Sequence, residues 1–308
     1  MNISELSDWI IANEPTVRLS AFLGVFGAMA LWELVAKRRH LRAPKGSRWF
    51  ANLSLAVVNT LAMRFLLPVA AIGVATVAAE RGWGLLNNVT IPSPVAVATS
   101  VIVLDLVIYL QHVMFHAVPA LWRLHMVHHA DVDFDVTTGS RFHTIEIVLS
   151  MGVKMAAVAV LGPPVVAVVI FEVVLNATSM FNHANVRLPL AADRVLRWIV
   201  VTPDMHRVHH SVTRRECNSN FGFSLPWWDR LLGTYRDQPA AGHEQMQIGV
   251  SHVQETRQPL HWLLALPFIG STGDYPINRQ VFERGDESPG PEARGRGDDL
   301  PERQAKRR

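Results

Sequence analysis

Across 308 residues the chain sets 29 lysines and arginines against 26 aspartates and glutamates, with 14 histidines and a single cysteine, Cys217. Apolar residues make up 49% and charged ones only 18%, in long blocks rather than in alternation, which excludes an ordinary soluble globule and points to membrane spans. One cysteine excludes intrachain disulfides and thiolate-based zinc or iron–sulfur sites, and a net charge of +3 with no basic face among aromatics excludes a nucleic-acid partner.

Residues 1–18 read as a short polar N-terminal tail, and the lack of a basic n-region argues against a cleaved signal peptide. The first span runs from about Leu19 to Ala36. It ends in Lys37, Arg38, Arg39, Arg42, Lys45 and Arg48, which by the positive-inside tendency places that loop in the cytoplasm. A second run, Trp49 to Ala79, is interrupted by Arg64 and Pro68, so a kinked or strongly tilted span is expected. Turn residues then make an external loop over 80–94.

The third span starts near Val95 and leads into His112 and His116. Asp105, Tyr109, His112 and His116 fall at i, i+4, i+7 and i+11, one polar stripe on an apolar helix. Ionisable residues inside a span usually face the protein interior and serve function, so the stripe is expected to combine orienting the histidines with an Asp–Tyr bond that ties helices together. Beyond Pro119 come His125, His128 and His129, followed by Asp131, Asp133 and Asp135, which read either as ligand-orienting groups or, more often for such residues, as solvated carboxylates.

Ile145 to Phe181 is too long for one span and is broken by Gly162-Pro163-Pro164, giving a hairpin of two arms. Lys154 and Glu172 are equidistant from Pro163 and are expected to neutralise each other, while His143 and His183 emerge together at the cytoplasmic base. Glu172, Asn176, Ser179 and His183 repeat the stripe spacing of the third span. Residues 188–201 read as an interfacial helix, and His206, His209 and His210 repeat the H-x-x-H-H pattern. Trp227, Trp228 and Tyr235 suit either a headgroup-level belt or cytosolic packing. Pro259 to Ile269 is too short to span, and the chain from 279 is rich in charge, Gly and Pro and is expected to be disordered. Cys217 reads as a passive small residue.

Eight of the fourteen histidines lie in the three boxes, where helical spacing brings residues three and four apart onto one face, so each box is expected to aim its imidazoles at one point. With His143 and His183 up to ten imidazoles gather on the cytoplasmic face, enough for two metals with four or five nitrogen ligands each. Imidazole suits iron, copper, zinc and nickel, and a nitrogen-rich dimetal site beside a bilayer favours activating O₂ against a lipid C–H bond. Such chemistry consumes two electrons, and with no haem or dinucleotide motif they must come from a separate protein. There is no H-E-x-x-H, no G-x-S-x-G and no Glu-x-x-His di-iron pattern.

The segments D-L-V-I-Y-L-Q-H-V-M-F-H, L-W-R-L-H-M-V-H-H, R-F-H-T-I-E, N-H-A-N, T-P-D-M-H-R-V-H-H and N-F-G-F-S-L-P-W-W-D-R-L-L-G-T-Y together resemble the fatty acid hydroxylase / sterol desaturase superfamily of membrane-bound di-iron enzymes. The resemblance covers about 105 to 236. It implies two irons bound by His112, His116, His125, His128, His129, His206, His209 and His210, with His183 a further ligand. It makes His143 a ligand or its neighbour, with Glu146 as a hydrogen-bond partner. Asp105, Tyr109, Glu146 and Asp204 are the expected catalytic or orienting groups. It also implies an O₂-dependent hydroxylase or desaturase of a sterol, fatty acyl or ether lipid, fed by a cytochrome b5-like, ferredoxin or reductase donor. No H-P-G-G haem segment is present, unlike in some fatty-acid 2-hydroxylases.

The expected fold is all-α: an integral-membrane helical bundle capped by a cytosolic, histidine-rich di-metal domain. Its parts are the tail 1–18, membrane helices and basic loop 19–104, the catalytic region 105–236 with the hairpin 145–181, a cytosolic or interfacial segment 237–278, and the tail 279–308. The histidines are placed on the cytoplasmic side, of the inner membrane if the source is bacterial. A membrane metal carrier and a zinc-stabilised structural protein are the competing readings.

Overall fold

A computed structural model describes residues 3–269 and 271–278. The charged tail from 279 lies outside the described residues. Among the described residues the chain is helical, with only isolated β-bridges such as Lys37 to Val186. Five segments are long and apolar enough to cross a membrane: Glu14–Val35, Lys45–Asn88, Ser93–Ala117, Thr144–Leu161 and Val165–Asn182. The chain is a membrane protein. Phe50, Phe65 and Val160 on these helices are 75%, 83% and 75% exposed, as side chains facing lipid are.

The N-terminal residues are helical rather than a tail. Helix α1 covers Ile3–Ala12 and α2 covers Glu14–Val35, with Pro15 in the first turn, where its missing N–H costs nothing. The apparent polarity of this stretch hides a use for its charges. Arg18 pairs with Glu14 at 2.6 Å and with Glu172 at 3.3 Å, so α2 packs closely along the second hairpin arm.

The second run is two helices, α3 (Lys45–Leu66) and α4 (Ala70–Arg81), rather than one kinked span. Pro68 cannot donate a helical hydrogen bond, and the chain restarts at Ala70, whose φ is 48°. Helix α5 (Ser93–Ala117) carries the first histidine box, and α6 (Pro119–His129) begins at the proline that ends it. The hairpin arms are α7 (Thr144–Leu161) and α8 (Val165–Asn182). Gly162 takes φ 63°, the left-handed cap that only glycine adopts without strain. Lys154 meets Glu172 at 2.9 Å across the arms, as their equal distance from the turn predicts.

Below the bundle, the expected interfacial helix shrinks to α9 (Leu190–Leu196), and α10 (Pro203–His209) carries the third box. Short helices α11 (Arg214–Cys217) and α12 (Trp227–Leu231) follow. The apolar stretch after Pro259 folds as a helix over Leu260–Ala265 and a 3₁₀ turn over Leu266–Phe268. These pack with Trp122, Met126 and Tyr275 into one apolar core beneath the histidines.

The three aspartates after the second box are not solvated. Asp131, Asp133 and Asp135 are buried, and the basic loop folds back onto them. Arg48 grips Asp131 with two bonds of 2.8 Å and Asp135 with one of 2.7 Å, while Asp133 accepts from the backbone of Arg42 and Ala43. The basic residues read as a topology signal therefore also neutralise buried acids. Gly139 lies so close to α8 that a Cβ there would stand 2.8 Å from the Ser179 carbonyl oxygen.

Candidate metal centre

Nine imidazoles converge where the membrane helices end, and all nine are buried. Two groups form: His112, His116, His125, His129 and His209 in the first, and His128, His183, His206 and His210 in the second. Within each, the candidate ligand atoms lie within 4.8 Å of one another. The groups share a wall, for the His129 and His210 rings stack with centroids 4.6 Å apart.

Neither H-x-x-H-H box aims at one point. His125 and His129 face the first group and His128 the second, whereas His206 and His210 face the second group and His209 the first. At about 100° per residue, the i+3 side chain leans roughly 60° to one side and i+4 roughly 40° to the other. The i, i+4 pair thus stays together and i+3 serves the neighbour. A doubled box is a device for bridging two sites.

The hydrogen bonds fix the tautomers. His112 Nδ1 donates to the Phe221 carbonyl at 2.7 Å, His209 Nδ1 to that of Ser219 at 2.7 Å, and His116 Nδ1 to Asn218 Oδ1 at 3.0 Å. His125 Nδ1 donates to Glu146 Oε1 at 2.6 Å, His128 Nδ1 to the Arg141 carbonyl at 3.2 Å and His183 Nδ1 to the Ser179 carbonyl at 2.7 Å. Each neutral ring therefore turns a bare Nε2 lone pair inward.

Two pairs of those lone pairs meet with no proton between them: His112 and His125 Nε2 are 3.0 Å apart, and His183 and His128 Nε2 are 3.1 Å apart. His206 Nε2 also stands 3.1 Å from His183 Nε2. Nε2 of His116, His129 and His209, and both nitrogens of His210, are buried without a partner. Converging lone pairs repel unless a cation sits among them. Two nitrogens bound at roughly 2.1 Å and at right angles to one ion stand roughly 3.0 Å apart, which matches the spacings found. The residues fit a metal in each group.

Burial holds these rings neutral, as ligation requires. It pushes His125 and His183 down to about 3, and His128, His129, His206, His209 and His210 well below the usual imidazole range. A histidine lowered on folding binds its proton in the unfolded chain first. Stability of the metal-free protein should therefore fall as pH drops from about 6.5 toward 3, by up to about 1.4 kcal/mol per pH unit for each such ring. Thermal unfolding of chelator-treated protein across that window checks the sign.

The loop between α11 and Tyr235 supplies three of the six acceptors, and sequence reasoning did not single them out. Asp229 shapes this loop: its carboxylate accepts from the Phe221 and Gly222 amides at 2.8 Å each and from the Thr234 hydroxyl at 2.7 Å. That sets the carbonyl holding His112. Replacing Asp229 with alanine should weaken metal affinity about 10–100-fold, as loss of a ligand's outer partner does, with chelator competition as the measure.

The remaining expected residues are placed as follows. His143 stands outside both groups, because its Nδ1 caps α7 by accepting from the Ile145 amide at 3.2 Å and its Nε2 faces the Leu264 carbonyl. Of the four expected catalytic groups, Glu146 alone touches a clustered imidazole. Asp105 holds the Trp228 indole at 2.9 Å and the Leu225 amide at 3.2 Å, and the Tyr109 hydroxyl bonds Thr234, so the stripe on α5 fastens the supporting loop. Asp204 pairs with Arg38 and Arg207 instead of a clustered ring. Cys217 is buried with Sγ 3.7 Å from His129 Nδ1, and burial pushes its thiol above the ordinary range.

Beside His112 and His125 a cavity of about 100 Å³ opens among α5, α7 and α8, walled by Ile108, Phe115, Phe142, Leu175 and Phe223. Its apolar wall is built from the ends of the membrane helices.

Residues 97–234 match the fatty acid hydroxylase family model. An ornithine lipid hydroxylase of Rhizobium tropici is 30% identical over 148 residues, covering 48% of this chain and 44% of that protein. Human alkylglycerol monooxygenase is 28% identical over 201 residues, 63% of this chain and 43% of that protein. Human cholesterol 25-hydroxylase is 28% identical over 138 residues, 43% and 48% of the respective chains. The matched stretch spans less than half of each of these relatives. No solved structure matches the chain.

Proposed function

We propose, from the premise that residues 97–234 place this chain in the fatty acid hydroxylase / sterol desaturase superfamily, that it is an O₂-dependent di-iron hydroxylase acting on a lipid C–H bond. The observation that carries this reading is the two groups of inward lone pairs beside a cavity at the ends of the membrane helices. His112, His116, His125, His129 and His209 would hold one iron, and His128, His183, His206 and His210 the other. Bound there, the irons supply reductive activation of O₂, with the net balance lipid–H + O₂ + 2e⁻ + 2H⁺ giving lipid–OH + H₂O.

The chain's own groups do the rest. Phe115, Phe142 and Phe223 exclude water from the face of His112 and His125. Glu146 fixes His125 as its Nδ1–H tautomer and strengthens it as a donor. The electrons come from a cytochrome b5-like, ferredoxin or reductase partner. The basic loop 37–48 argues for a cytoplasmic histidine face, on the inner membrane if the source is bacterial.

Protein purified from iron-supplied cells should carry about two irons per chain and, given a reductant, transfer one atom of labelled O₂ to a lipid. A preparation fully active with zinc and without O₂ would sink the reading.

A further inference from the structure

Helices α9 and α12 carry large apolar side chains that the described residues leave uncovered. Leu190 and Val195 on α9, Trp198 and Ile199 just after it, and Leu231 and Leu232 at the end of α12 are each more than half exposed. The two helices form one unit. The Trp227 indole donates to the Trp198 carbonyl at 2.8 Å, and Arg230 donates to the Arg197 carbonyl at 3.0 Å. The Arg230 guanidinium also lies 3.8 Å from the centre of the Trp198 ring and 3.9 Å from that of Tyr235, so its charge rests on aromatic faces.

The points from which this unit hangs fix its depth. Asp105 holds the Trp228 indole and the Leu225 amide, the Ser224 hydroxyl meets that of Thr178 at 3.0 Å, and Asn182 donates to the Phe223 carbonyl at 2.8 Å. Asp105 is twelve residues from either end of α5, which puts it roughly 18 Å along the helix from Ser93. Thr178 is thirteen residues beyond Val165, roughly 20 Å along α8. Both helices start on the same side, because Gly84, in the loop before α5, lies against Gly162 in the hairpin turn. A hydrocarbon core is roughly 30 Å thick, so two separate helices place the hanging points roughly 10 Å inside its histidine-side edge.

We propose that α9 and α12 form an interfacial foot seated in the leaflet on the histidine side, with a phospholipid layer as its partner. In water a contiguous apolar patch of this kind is rare, whereas at a bilayer interface Trp and Leu sit against the acyl chains and arginines reach the headgroups. Arg194, exposed on α9, and Arg230 interleave with the apolar side chains in that way. Trp227 and Tyr235 thereby fall to the headgroup belt rather than to cytosolic packing. The seat follows from packing alone and holds whatever chemistry the histidines perform.

Site-directed fluorescence quenching tests it on the full metal-loaded chain in phosphatidylcholine nanodiscs. A bimane label is placed at Ile199→Cys or Leu231→Cys, with Val57→Cys on α3 as the lipid-facing reference and Glu255→Cys as the water-facing one. The unmodified chain, whose Cys217 is buried, reports background labelling. Lost side-chain packing is small at these exposed positions, and metal content equal to that of the unmodified chain confirms an intact fold. Brominated lipid should quench the labels at 199 and 231 as it does the label at 57. Aqueous iodide should quench them several-fold less than the label at 255, since the bilayer core holds no water. Iodide quenching equal to that at 255 overturns the foot. So does shelter from both quenchers, which would mean that protein, such as a second copy of the chain, covers this face instead of lipid.

Discussion

His183→Ala should leave the protein with about one metal per chain instead of about two and slow lipid oxidation by more than about a hundredfold, since losing even an outer partner of a ligand costs 10–100-fold. His183 is the keystone of the second group. Its Nε2 stands 3.1 Å from those of both His128 and His206, and α8 delivers it from a different element than either. Removing it leaves three nitrogens from α6 and α10. The first group keeps all five of its rings, so its metal should remain, and metal analysis of purified protein separates one-site loss from global failure. His143→Ala is the informative contrast. His143 lies outside both groups, capping α7 and facing the Leu264 carbonyl, so that variant should retain both metals and lose about 1 kcal/mol of stability. Equal metal loss in the two variants would contradict the division described above.

The largest stability effect is expected at Arg48. Its guanidinium is 4% exposed and binds Asp131 through two nitrogens and Asp135 through the third. Arg48→Ala strands these two carboxylates in the interior, and breaking a buried pair by removing one partner costs about 3–5 kcal/mol. Asp131 is held well below the usual carboxylate range despite its burial, by the facing Arg48 and Arg141. Arg141 also supplies the carbonyl that orients His128, so the damage should spread to the second metal group. Thermal unfolding in detergent, with metal content measured alongside, checks both effects. Arg48→Lys should recover only part of the loss, because an ammonium cannot match the bidentate fork. An unchanged melting temperature for Arg48→Ala would show that the clasp contributes nothing net.

How much of this was legible beforehand depends on whether the signal lay within one element or between several. The Gly-Pro-Pro turn fixed the depth of Lys154 and Glu172 by counting alone, and they meet. Histidine identity and spacing named ten rings, nine of which cluster, because helical periodicity is local and metal ligation needs that residue type in number. The same spacing could not say that i+3 and i+4 part company, since that depends on how α5, α6, α8 and α10 are rotated about one another. Nor could it place His143, whose equal count from Pro163 matches His183 in depth but not in direction.

The aspartates after the second box show the same limit from the side of charge. Read alone they are solvated, and the basic loop some ninety positions earlier is a topology signal. Folded, each neutralises the other. Composition and periodicity determined that this is a membrane helical protein with a polyhistidine centre at one end of its spans. Tertiary packing decided which lone pairs converge, because that is set by the relative orientation of helices, to which a one-dimensional pattern is blind.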